Sequence, residues 1–105
     1  MIHTIKKGDT KRKFTDTLTL GGLPVDLTGA TVQLLFKSGQ TGVVVSRTAT
    51  VVSAAAGTVE YQPIDADVAE AGAYLLLWKV TFPGSLYLHW PSDGYIRLNI
   101  EPNFT

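Results

Sequence analysis

Most of the chain alternates apolar and polar residues with period two, in short runs separated by clusters of Gly, Pro, Asp and Ser, and this pattern predicts strands rather than helices. From Arg12 to Leu20, Phe14, Leu18 and Leu20 share one face while Lys13, Thr15, Thr17 and Thr19 share the other. Asp16 interrupts the apolar face in mid-strand. An unpaired buried carboxylate is costly, so Asp16 is expected to be paired or to lie where the face leaves the core. Gly21, Gly22 and Pro24 end this run, and Asp26 to Gly29 reads as a turn in which Asp26 or Thr28 bonds the local backbone. Thr31 to Ser38 places Val32, Leu34 and Phe36 on one face and Leu35 on the other, followed by a flexible hairpin connection from Gly39 to Gly42.

Val43 to Val52 is β-prone but lacks clean alternation, which predicts a bulge or an edge position. A turn at Ala54 to Gly57 leads into a short strand, Thr58 to Gln62, with Val59 and Tyr61 on one face and Pro63 closing it. Helix competes only over Ile64 to Gly72, and at about two turns it can be no more than a connector. Ala73 to Phe82 is the strongest strand, with Tyr74, Leu76, Trp78, Val80 and Phe82 opposite Leu75, Leu77, Lys79 and Thr81, and it is expected to be central. Leu86, Leu88 and Trp90, then Ile96, Leu98 and Ile100, mark two further strands after turns at Pro83-Gly84 and Ser92-Asp93-Gly94. The chain is therefore expected to end in a three-strand meander, with Trp78 and Trp90 in the core by parity. Seven or eight strands at this spacing predict one all-β domain over residues 1–105. The expected form is an immunoglobulin-like antiparallel β-sandwich with at most one short helical connector, and a small barrel is its rival.

Composition narrows the function. The 105 residues suffice for one core, and 45% hydrophobic with 17% charged residues is the balance of a folded globular domain. Nine Lys and Arg against nine Asp and Glu cancel, so no overall field draws the chain to nucleic acid or an anionic membrane. No apolar stretch approaches the length of a membrane span. With no Cys and only His3 and His89, the usual thiolate and imidazole sites are out of reach. Asp16, Asp26, Asp93, His89 and Ser92 form no recognised catalytic spacing, and Ser92-Asp93-Gly94 beside His89 is an ordinary turn sequence. The scattered carboxylates make no calcium loop. The expectation is a protein that is not an enzyme and carries no cofactor or metal.

Charge is uneven along the chain. Lys6, Lys7, Lys11, Arg12 and Lys13 crowd the first thirteen residues against Asp9 alone, whereas Glu60, Asp65, Asp67 and Glu70 have no Lys or Arg among them. The basic run is read as a solvated face, as a docking site in which Lys11, Arg12 and Lys13 meet an acidic partner, or as a local nucleic-acid contact. With Glu60, Asp65, Asp67 and Glu70 as counter-patch, copies could join head to tail, a contact that generates rings or filaments. Reversing Lys11, Arg12 and Lys13 to Glu would then break assembly while the fold survives. Tyr87 and His89 fall opposite Leu86, Leu88 and Trp90. They are read as cross-strand pairs, as an anchor for a protein partner or, with Tyr95, as a platform for a glycan.

The ordered blocks IKKGDT, GLPVDLTGATVQLLFKS, GTVEYQP, AEAGAYLLLWKVTFPGS and WPSDGYIRLNIEP span nearly the whole chain. Together, and most of all in Pro24 to Val32, Gly72-Ala73-Tyr74 and Pro91 to Ile96, they resemble the N-terminal domain of phage baseplate upper proteins. The resemblance implies an immunoglobulin-like sandwich at the head of a longer protein, attached to the tail core. It also implies a virion protein, made in the bacterial cytoplasm, whose partners are other tail or baseplate components. This chain stops at Thr105 just after the last strand. It is therefore expected to be a stand-alone virion protein on the same plan or an excised domain. Capsid decoration and glycan binding are the alternative roles, and an open sheet edge offers binding by strand addition.

Overall fold

The computed structural model describes residues 2–91 and 94–103, so Ser92 and Asp93 of the expected turn lie outside the described residues. The strands are β1 (Ile2–Lys6), β2 (Phe14–Thr17), β3 (Thr19–Leu20), β4 (Leu23–Pro24), β5 (Thr31–Ser38), β6 (Val44–Thr48), β7 (Thr50–Ser53), β8 (Thr58–Tyr61), β9 (Gly72–Phe82), β10 (Leu86–Trp90) and β11 (Ile96–Glu101). Among the described residues a single 3-10 turn, Asp65–Asp67, occupies part of the expected helical connector. One sheet has the order β1-β11-β9-β5-β6 with β10 also on β9, a second has the order β2-β8-β7, and β3-β4 form a small ribbon. All pairings are antiparallel except β1 with β11.

The two larger sheets make a sandwich around one core. Val32, Leu34 and Phe36 of β5, Leu76, Trp78 and Val80 of β9, and Ile96, Leu98 and Ile100 of β11 face Phe14, Val59 and Tyr61 of the smaller sheet. Phe36 stands between Phe14 and Tyr61, with ring centroids 6.1 and 5.9 Å away in edge-on geometry, so aromatic contacts link the layers. Trp78 is fully buried, while Trp90 is half-buried and packs on the core from its margin. As the pattern of Arg12 to Leu20 requires, Phe14, Asp16 and Leu18 are buried, but Leu20 is exposed because the chain has already left the sandwich in the β3-β4 ribbon. Gly21 and Gly22, both at positive φ, make its two-residue turn of the kind that suits a twisted hairpin.

Val43 to Val52 holds both expected irregularities. Its first half, β6, is the edge of the six-stranded sheet; its second half, β7, enters the other sheet with a register shift between Val51 and Ser53. The chain changes sheet at Ala49, whose N–H donates to Val32 O at 2.9 Å, and this change of face erases the alternation. The C-terminal meander is not formed. Leu86–Trp90 pairs with Phe82–Trp78, whereas Ile96–Ile100 pairs with Leu76–Gly72, so β10 and β11 lie end to end along one side of β9 and not beside each other. At eleven residues, β9 is long enough to hold both. The N-terminal strand β1, the division at Ala49 and the short ribbon raise the count from the expected seven or eight strands to eleven segments among the described residues.

Candidate docking surface

The basic N-terminal stretch forms the turn from β1 to β2, and the fold brings it against the acidic stretch of the same chain. Lys13 Nζ lies 3.4 Å from Glu60 Oε1, Gly8 N–H donates to Val68 O at 3.0 Å, and Gln62 Nε2 donates to Thr10 O at 3.2 Å. Lys11 and Arg12 are exposed and make no ion pair among the described residues; Asp65 and Glu70 are exposed as well. Opposite charges that the sequence separates by some fifty positions are thus neighbours, which weakens the charge contrast a head-to-tail contact would use.

Asp67 does not belong to a surface patch. Its side chain is only 2% exposed. Oδ1 accepts from Arg47 Nε at 2.8 Å, and Oδ2 accepts from Tyr61 Oη at 2.5 Å and from Ile64 N–H at 3.0 Å. Arg47 occupies an inward position opposite Leu34 on the edge strand β6, and Tyr61 comes from β8, so Asp67 ties both sheets to the connector where the sandwich opens. Burial, reinforced by the Asp67 carboxylate, holds the Tyr61 hydroxyl far above its ordinary titration range and keeps it a donor. The pattern offered one sign of this hub, a buried tyrosine parity followed six residues later by Asp, but Arg47 could be found only from the strand pairing.

The outward face of the large sheet carries the other residues put forward by sequence. Tyr87 is paired with Thr81 and His89 with Lys79, and both side chains are exposed. Lys79 Nζ stands 5.0 Å from the Tyr87 ring centroid and occupies a face on which a sugar would stack. Next along the sheet, Leu35 of β5 is paired with Leu77 of β9. In the following row Leu75 is flanked by Lys37 on β5 and Arg97 on β11. A groove of about 180 Å³ runs over Leu35, Val44, Leu75, Leu77 and Tyr95, and a second of about 420 Å³ over Gly39, Ala73, Leu75, Arg97 and Asn99. Leu35, Leu75 and Leu77 are each partly exposed, an apolar strip on a face that strand alternation usually makes polar.

Chemistry is sparse. No group of three or more His, Asp or Glu that could hold a metal ion occurs among the described residues. Asp16, buried like Asp67, accepts from the Trp78 indole N–H at 2.7 Å and is committed to the fold. Asp26 accepts from both the N–H and the hydroxyl of Thr28, at 3.0 and 2.6 Å, which closes the expected turn and holds its carboxyl below the usual range. Among the described residues no helix is long and apolar enough to cross a membrane.

No protein-family model matches the chain, and no curated protein matches it. Among solved structures it is similar to the N-terminal domain of phage TP901-1 ORF48, with a TM-score of 0.73 at 14% sequence identity, over 96% of this chain and 85% of that one. At that identity the likeness is one of fold, and it extends over nearly the whole chain.

Proposed function

We propose that the chain is a non-enzymatic structural protein of a tailed phage or prophage virion, a docking module of the tail or baseplate that works through protein contacts. The observation that carries this reading is the fold shared, over 96% of the chain, with the N-terminal domain of a phage protein. The resemblance of the sequence blocks to baseplate upper proteins points the same way. The strand order supports an immunoglobulin-like reading of the sandwich, with β11-β9-β5-β6 standing for one sheet of a variable-type domain and β2-β8-β7 for the other. Asp16 and Asp67, the buried carboxylates among the described residues, are engaged in bonds that hold the fold together. Synthesis in the host cytoplasm followed by incorporation into the virion, with other virion proteins as partners, is the course this reading implies. Of the residues proposed for contact, Lys11, Arg12, Tyr87 and His89 are open to a partner, whereas Lys13 is engaged with Glu60.

The test is mass spectrometry of particles from the source organism, induced if necessary, with heads and tails separated before digestion. Peptides of the chain in the tail fraction are expected. Peptides confined to heads would reassign it to capsid decoration, and absence from all particles despite abundance in the lysate would overturn the structural reading and turn attention to glycan binding.

A further inference from the structure

We propose that the outward face of the six-stranded sheet is the docking face, and that it receives a protein surface with an apolar centre and an acidic rim. This rests on the virion-assembly reading and identifies the surface through which it operates. The face has the anatomy of an interface core: Leu35, Leu75 and Leu77 form its middle, Tyr95 and Val44 extend it, and the two grooves on either side of Leu75 offer room for inserted side chains.

The charges around this strip select the partner. Lys37 and Arg97 flank Leu75 directly, and Lys79 lies one row beyond the Leu35–Leu77 pair. None of the three makes an ion pair among the described residues. The outward carboxylate at the end of β11, Glu101, is held by Lys6 at 3.1 Å. An apolar strip edged by unpaired cations fits carboxylates placed around an apolar knob. A second copy presenting the same face would set cations against cations. The acidic stretch of a second copy is a thin match, because Glu60 and Asp67 are already bonded within their own chain, to Lys13 and Arg47, which leaves Asp65 and Glu70 alone to meet three cations. Nucleic acid would meet leucines where it needs stacking rings, and the chain has no net charge to draw it.

The experiment is complementation of a particle lacking this chain. Wild type, Lys37→Glu/Arg97→Glu and Leu75→Ser/Leu77→Ser are supplied, and the amount of chain per purified tail is measured by quantitative mass spectrometry. Both variants are expected to fall at least tenfold below wild type, and the charge reversal, made at exposed positions, should melt in urea as wild type does. The folded charge-reversal variant present at the wild-type level would overturn the docking face while leaving the tail assignment standing. Absence of wild type from tails would overturn the assembly reading itself. If the purified chain self-associates and the charge reversal abolishes this, a second copy replaces the acidic partner and the inference is wrong.

Discussion

The indole N–H of Trp78 donates to Asp16 Oδ2 at 2.7 Å, joining β9 of the large sheet to β2 of the small one through the interior. The mid-strand acid that breaks the apolar face of β2 is therefore the acceptor for the largest side chain of the core. Burial raises the Asp16 carboxyl above its ordinary 3.8, and the Trp78 bond only partly opposes this. A carboxyl whose folded-state pKa is raised lends its full stability below the unfolded value, and that stability is lost as pH rises through the folded value. Asp16→Asn lacks this loss. In denaturant melts from pH 3 to pH 7, the stability of wild type relative to Asp16→Asn is expected to fall as pH rises; a widening margin would mean that the ionised form is the favoured one. Trp78→Phe, which removes the donor and leaves a void, is expected to cost about 2–4 kcal/mol.

Asp67 predicts a graded series. Replacing it by Ala strands a partly buried guanidinium and removes the acceptor for Tyr61 and the Ile64 N–H, at about 3–5 kcal/mol. Tyr61→Phe removes one bond at about 1 kcal/mol. Arg47→Ala leaves the buried Asp67 Oδ1 without its donor while Oδ2 keeps its two, so it is expected to fall between the other two variants. Urea denaturation of the three variants checks the order, and an Asp67→Ala protein as stable as Arg47→Ala would remove the hub from the account.

Gly57 sits at φ 70°, and an added Cβ would come within 2.7 Å of Leu18 O and 2.8 Å of Val25 O, both backbone atoms. Those atoms belong to the segment where β2 gives way to the ribbon, and Leu18 N–H donates to Gly57 O at 2.8 Å. Gly57→Ala is expected to cost about 2–4 kcal/mol, more than Gly42→Ala, where φ is also positive but nothing lies within 4 Å. Equal melting midpoints would show that the close approach does not matter.

Alternation made the sandwich legible, because a half-buried strand must repeat every second residue. The inward sets of β5, β9 and β11 could be named from the residues alone, and so could the edge and bulge in Val43 to Val52. Pairing was not legible. Whether β11 lies beside β10 or beyond it depends on the length of β9 relative to its neighbours, and a parallel partner for β1 leaves no mark on local pattern. The same gap hid the docking face. Leu35, Leu75 and Leu77 each read as facing away from the core, but only the register that pairs Leu35 with Leu77, and Leu75 with Lys37 and Arg97, assembles them into one surface. Charge misled for a related reason: Lys13 and Glu60, and Arg47 and Asp67, are distant in sequence and adjacent in the fold.

The most direct test of docking through the outward face is cross-linking of intact tails with a zero-length reagent that joins amines to carboxylates, read by mass spectrometry. Lys37 and Lys79 are expected to link to Asp or Glu residues of a different virion protein. Links to such a protein from Lys11 and Lys13 alone, with Lys37 and Lys79 unlinked, would place the contact on the basic turn and contradict the account.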